Sequence, residues 1–238
     1  MKKLSYFKLS EEIVDVLVAK TQSPNRHFFR ILVAYYLSKV ASMMRCNVET
    51  KDRGVIPVNT YVLNLMPWGA GKGHSTNIME ELIIAEFKEE FLEKIFPIKA
   101  HQYIAQLANT EALRTGEDVD VCVEKLVKEF ESTGELLFSF DSGTAPATKQ
   151  MRHKLLLANA GSMNLEMDEV GSNIQGNSEM LNTFLELYDV GKVKQKLIKS
   201  TTENKRNTDL DGRTPTNMML FGTPTKLLDG GKIEEDFM

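Results

Sequence analysis

Two cysteines in 238 residues, Cys46 and Cys122, are too few and too far apart for a disulfide framework, and neither belongs to a C-x-x-C pair that could open a zinc ribbon. Tryptophan occurs once, at Trp68, and the four histidines, His27, His74, His101 and His153, are scattered without metal-ligand spacing. No uninterrupted apolar run approaches the ~20 residues needed to span a bilayer. Met1 to Leu9 carries lysines but lacks the apolar stretch and small-residue cleavage site of a leader. Positive charge is not in excess either: the net charge is -4, so any nucleic-acid contact has to come from a local basic patch. These absences exclude a disulfide-stapled scaffold and a membrane-spanning chain, and they predict a cytoplasmic protein without a membrane partner.

What is present suits one sizeable α/β core with an accessory segment, since hydrophobic residues make up an ordinary 42%. Ser10 before Glu11 and Glu12 reads as an N-cap, with Ile13, Val14, Leu17 and Val18 following at helical spacing. Ser23-Pro24-Asn25 opens a second, very apolar helix from about His27 to Arg45. Residues 1–50 are therefore expected as an N-terminal helical segment and 51–238 as the main core. Asn47 to Gly54 reads as a polar stretch with Asp52-Arg53-Gly54 as its turn signal, and β-prone residues from Val55 to Met66 as the first core strand. Helical periodicity returns from Ile78 to Phe91 and runs to Pro97, with further helices over Ala100–Arg114 and Val119–Glu131. Strands over Leu136–Phe140, Met163–Met167 and Asn217–Phe221 alternate with helices over Thr144–Leu157 and Ser178–Tyr188, and Thr201–Thr214 is a polar segment. That alternation predicts an α/β fold built on a mostly parallel sheet.

Between the first core strand and its helix lies Pro67-Trp68-Gly69-Ala70-Gly71-Lys72-Gly73-His74-Ser75-Thr76. Glycines let backbone N–H groups turn inward around phosphate oxygens, the helix N-terminus adds its positive end, and a lysine can reach the outer phosphates. Gly69, Ala70, Gly71, Lys72, Gly73, His74, Ser75 and Thr76 are thus the expected phosphate cradle. The string departs from G-x-x-x-x-G-K-[ST]: Met66 stands at the first glycine position and Gly73 at the hydroxyl position, so Ser75 or Thr76 is the expected hydroxyl ligand of Mg²⁺. Asp168 and Glu169 close the strand Asn164-Leu165-Glu166-Met167, at the edge where phosphates bind in such sheets. Asp168 is expected on the metal and Glu169 on the attacking water. The apolar strand Met218 to Phe221 ends at Gly222-Thr223, which brings a hydroxyl to the same edge.

Five strings, Gly69-Ala70-Gly71-Lys72, Ser142-Gly143-Thr144-Ala145-Pro146, Leu165-Glu166-Met167-Asp168-Glu169-Val170-Gly171, Leu185-Glu186-Leu187-Tyr188-Asp189 and Leu220-Phe221-Gly222-Thr223-Pro224-Thr225, occur in an order and spacing that resemble the RecA-like P-loop ATPase domain of phage and mobile-element primase-helicases. The likeness covers about Asn59 to the end. It implies an ATP- and Mg²⁺-dependent, ring-forming DNA motor working on single-stranded DNA beside other replication proteins, in host cytoplasm if phage-encoded. It also implies an arginine supplied by a neighbouring subunit, for which Arg152, Arg206 and Arg213 are available, and an expectation that this is the amino-terminal part of a longer polypeptide or a reduced relative. Lys192 to Lys199, Lys205, Arg206 and Arg213 are the candidate DNA contacts. Two other readings stay open: a nucleotide kinase, suggested by the Gly-Lys-Gly loop, and a non-hydrolysing assembly module using the helix from His27 to Arg45.

Overall fold

A computed structural model describes residues 5–67, 69–169, 178–188, 191–192, 210 and 212–223. The chain opens with a helical hairpin, α1 (Lys8–Thr21) and α2 (Arg26–Met43). Asn25 caps α2 by accepting from the Phe28 backbone N–H at 3.2 Å. Ser10 is not the cap of α1: the helix starts after Phe7, and the Ser10 hydroxyl donates to the Phe7 carbonyl at 2.7 Å from within the first turn. Glu11 locks the hairpin by bridging Arg30 at 2.7 Å and Arg26 at 3.0 Å.

The polar stretch after α2 forms the first strand of an antiparallel ribbon, β1 (Asn47–Thr50) against β2 (Gly54–Pro57), with its turn at 51–53 where Asp52-Arg53-Gly54 signals one. Pro57 has no N–H to continue a ladder. The single strand expected over Val55–Met66 is accordingly divided, and β3 (Tyr61–Leu65) alone enters the main sheet. The helical run expected to end at Pro97 is also divided, into α3 (Lys72–Ile78), a π-helical turn (Met79–Ile83), α4 (Ala85–Glu90), a second π turn (Phe91–Ile95) and α5 (Phe96–Thr115). Pro97 sits in the first turn of α5, where its missing N–H costs no helical bond. With α6 (Val119–Ser132), α5 forms a hairpin around a small second core of Ile104, Ala108, Cys122, Leu126 and Leu157.

The strand order decides the site. β3, β4 (Met163–Met167) and β5 (Thr216–Gly222) are parallel, in the order β3-β5-β4, so the last strand in sequence lies between the other two. Every residue of β5 is buried, as a strand covered on both faces requires. The strand expected over Leu136–Phe140 is reduced to one parallel bridge from Phe140 to Leu165. The next helix, α7 (Ala145–Ala158), is capped by Thr144, whose hydroxyl accepts from Ala147 N–H at 3.4 Å.

Alternation along β5 turns Asn217, Met219 and Phe221 toward α2, where the Phe221 and Phe28 rings meet at 6.4 Å and Asn217 Nδ2 donates to Ser42 Oγ at 2.6 Å. On the other face Tyr61 packs on Phe184 of α8 (Ser178–Leu187) at 6.5 Å. Val14, Leu17, Leu32 and Tyr35 of the hairpin belong to the same continuous core as Leu165, Met219 and Phe221 of the sheet. Among the described residues, no helix is long and apolar enough to cross a membrane.

Candidate functional site

The glycine loop leaves β3 and enters α3 by a turn that only glycine adopts easily: Gly69 has φ +76° and Gly71, the residue capping α3, has φ +78°. A β-carbon built on Gly69, Gly71 or Gly73 would meet nothing within 4 Å, so the loop faces open space. Gly69, Gly71, Gly73 and His74 are exposed, and Ala70 and Lys72 half-buried. Lys72 bends back over the loop to place Nζ 3.3 Å from the Met66 carbonyl oxygen. Both hydroxyls bond to the backbone of their own turn: Ser75, buried, donates to the Gly71 carbonyl at 2.8 Å, and the half-buried Thr76 to that of Gly73 at 2.8 Å.

Register brings the acidic pair to the same edge. Leu65 pairs with Gly222 and Met167 with Leu220, so Asp168 continues β4 at the level of Phe221, one step from the level at which the loop leaves β3. Adjacent strands lie about 4.8 Å apart, which sets β3 and β4 roughly 10 Å apart on either side of β5. Asp168 is exposed and Glu169 half-buried, while Thr223, just beyond β5, is buried between the two flanking strand ends. Trp68, Val170, Gly171, Asp189, Pro224, Thr225, residues 193–199, Lys205 and Arg206 lie outside the described residues. Arg152 and Arg213 are at the opposite edge, donating to the carbonyls of Gly212 and Val55.

Among the described residues no group of three or more His, Cys, Asp or Glu side chains gathers to hold a metal by itself. One exposed carboxylate with a second beside it suits a cation shared with a bound polyanion, which is how Mg²⁺ is commonly held on substrate phosphates. The donor set therefore fits Mg²⁺ only in company with a phosphate ligand. Cavities of about 240 Å³ lie elsewhere, at the amino edge of the sheet around Arg45. The glycine loop itself opens to solvent.

Beneath the acidic strand is a buried polar cluster that the sequence reading missed. Lys39, fully buried on α2, places Nζ 2.8 Å from Glu80 and 2.7 Å from Glu166, and the Tyr35 hydroxyl donates to the same Glu166 oxygen at 2.9 Å. Burial, then the charge of Glu166, holds the Tyr35 phenol well above its usual pKa. Tyr36 is shifted the same way, by burial first and then by Glu166, Glu80 and Asp168. Asn64 Nδ2 on β3 is buried and has no hydrogen-bond partner. A signal existed: position 39 falls on the stripe Phe28, Leu32, Tyr35, Tyr36, Ser42 and Met43, where a solvated lysine has no place.

No protein-family model, no characterised protein and no solved structure matches this chain.

Proposed function

We propose that the chain binds a magnesium–nucleoside triphosphate, ATP, at the carboxyl edge of its sheet and hydrolyses it. The observation that carries this reading is the strand order β3-β5-β4, by which the glycine loop and the acidic pair flank the end of one central strand. In this reading the loop N–H groups and the N-terminus of α3 cradle the phosphates, and Lys72 exchanges the Met66 carbonyl for a phosphate oxygen. Glu169 orients and deprotonates the attacking water, and the Thr223 hydroxyl donates to the terminal phosphate. Asp168 holds Mg²⁺, which when bound neutralises charge developing on the phosphates.

The motor role goes one step further: a DNA helicase or primase-helicase domain, assembled as a ring on single-stranded DNA. It is supported by the sequence resemblance alone. The deciding experiment is ATP hydrolysis with and without single-stranded DNA, in the native chain and in Lys72→Ala. Hydrolysis that rises with DNA and vanishes in the variant supports both levels of the reading. Lys72-dependent hydrolysis indifferent to DNA leaves the ATPase and removes the motor. Phosphate transfer to a nucleoside monophosphate instead of water turns it into a kinase.

A further inference from the structure

We infer that Lys39, Glu80 and Glu166 are positioning residues that fix the phosphate loop relative to the acidic pair, an inference that rests on the hydrolysis reading above. Glu80 lies in the π turn directly after α3, the helix whose first residue is Lys72. Glu166 lies two residues before Asp168 on β4, and strand alternation gives it the α2-facing side of the sheet. Lys39 holds both carboxylates on one ammonium, at 2.8 and 2.7 Å. A single buried atom of α2 thus joins the far end of the loop's helix to the strand that carries Asp168 and Glu169.

The surroundings restrict that ammonium further. Phe138 and Tyr36 present their rings 4.7 and 5.1 Å from Lys39 Nζ, and Lys88 approaches the second oxygen of Glu80 at 3.6 Å. Two cations therefore stand against two carboxylates. The π turn adds to the fit: Ile84 N–H bonds back five residues to the Met79 carbonyl at 3.0 Å, widening the turn that carries Glu80. Stability does not explain such a cluster, because buried ion pairs can often be replaced by apolar side chains without loss. Orientation does, since the hydrogen bonds are directional and hydrocarbon packing is not.

The test measures nucleotide affinity and turnover separately in Glu80→Leu, which removes the acceptor and so cuts the loop-helix arm while leaving Lys39 paired with Glu166. Turnover is expected to fall roughly tenfold or more, because a small misplacement of reacting groups is costly. Affinity for the magnesium–nucleotide is expected to stay within about threefold, the mark of a loss confined to the transition state. Leu126→Ala, in the separate core of α5 and α6, is the control for general destabilisation and retains turnover at matched loss of Tm. Glu166→Leu, which leaves Lys39 on Glu80, is the second variant with the same expectation if Glu80→Leu fails to fold. Unchanged turnover in the variants, or a fall no larger than that of Leu126→Ala, overturns the inference while leaving the ATPase intact. Absence of Lys72-dependent hydrolysis in the native chain overturns the hydrolysis reading itself, and this inference with it.

Discussion

Lys72 Nζ lies 3.3 Å from the carbonyl oxygen of Met66, so the lysine of the glycine loop folds back across the loop's own mouth. Its present acceptor is neutral, and a phosphate oxygen in that place would form the stronger, charge-assisted bond. Lys72→Ala is therefore expected to weaken triphosphate binding by about 10- to 100-fold, the equivalent of ~1.5–3 kcal/mol for a hydrogen bond to a charged group. Titration with a fluorescent nucleotide measures it, and equal affinity in the two proteins removes Lys72 from the site.

The two acidic residues are expected to fail differently. In the proposed hydrolysis Glu169→Gln keeps the shape and removes the proposed base, so magnesium–nucleotide binding is expected to persist while turnover drops on the order of 10²- to 10⁴-fold. Asp168→Asn instead loses the magnesium dependence of binding. Single-turnover hydrolysis and nucleotide titration with and without magnesium separate the two effects; identical behaviour of the variants contradicts the division of labour.

The local parts of this architecture were legible because they obey local rules. The alternation of Met163, Leu165 and Met167 with Asn164 and Glu166 has the period of a strand, and Thr144 with Pro146 marked the start of α7 to within a residue. The central position of β5 was not legible: its partners Tyr61 and Met163 are remote in sequence, and no residue in Asn217–Phe221 announces which strands it will separate. The same holds for Lys39, whose partners Glu80 and Glu166 are 41 and 127 residues away. Leu136–Phe140 fails in the other direction, having a strand-like pattern but only one bridge to satisfy it. In the site, the glycine loop and the acidic pair were readable as strings, whereas the inward turn of Ser75 follows from its helical phase on α3 and became visible only with the fold.

The α1–α2 hairpin carries its own pH dependence. Hydrogen bonds from Arg30 and then Arg26 lower the Glu11 pKa from 4.5 to about 2. A carboxylate whose pKa is depressed on folding stabilises the fold above its unfolded value and loses that contribution as pH falls toward the folded one. Glu11→Gln should accordingly lower Tm near neutrality, and the gap to the native protein should close between about pH 4.5 and 2. Thermal melts across that window check it. A gap independent of pH would mean that Glu11 acts by packing and not by charge.

Gly191 offers a sharper test of the fold around β5. Its N–H donates to Leu187, at the end of α8, at 2.9 Å, and its carbonyl accepts from Thr214 N–H at 2.8 Å, tying that helix to the approach of the central strand. Its φ is +67°, and a β-carbon there would stand 2.8 Å from the backbone nitrogen and oxygen of Thr214, atoms that cannot rotate out of the way. Gly54 has the same φ of +67° but nothing within 4 Å of the added carbon. Gly54→Ala should therefore cost only the left-handed conformation, about 1–2 kcal/mol. Gly191→Ala should cost that and a further ~1–3 kcal/mol of overpacking. For a chain of this size each kcal/mol lowers Tm by roughly 2–4 °C, so the two variants are distinguishable by calorimetry. If they melt together, Thr214 does not approach Gly191 as closely as described, and the path by which the chain enters β5 has to be redrawn.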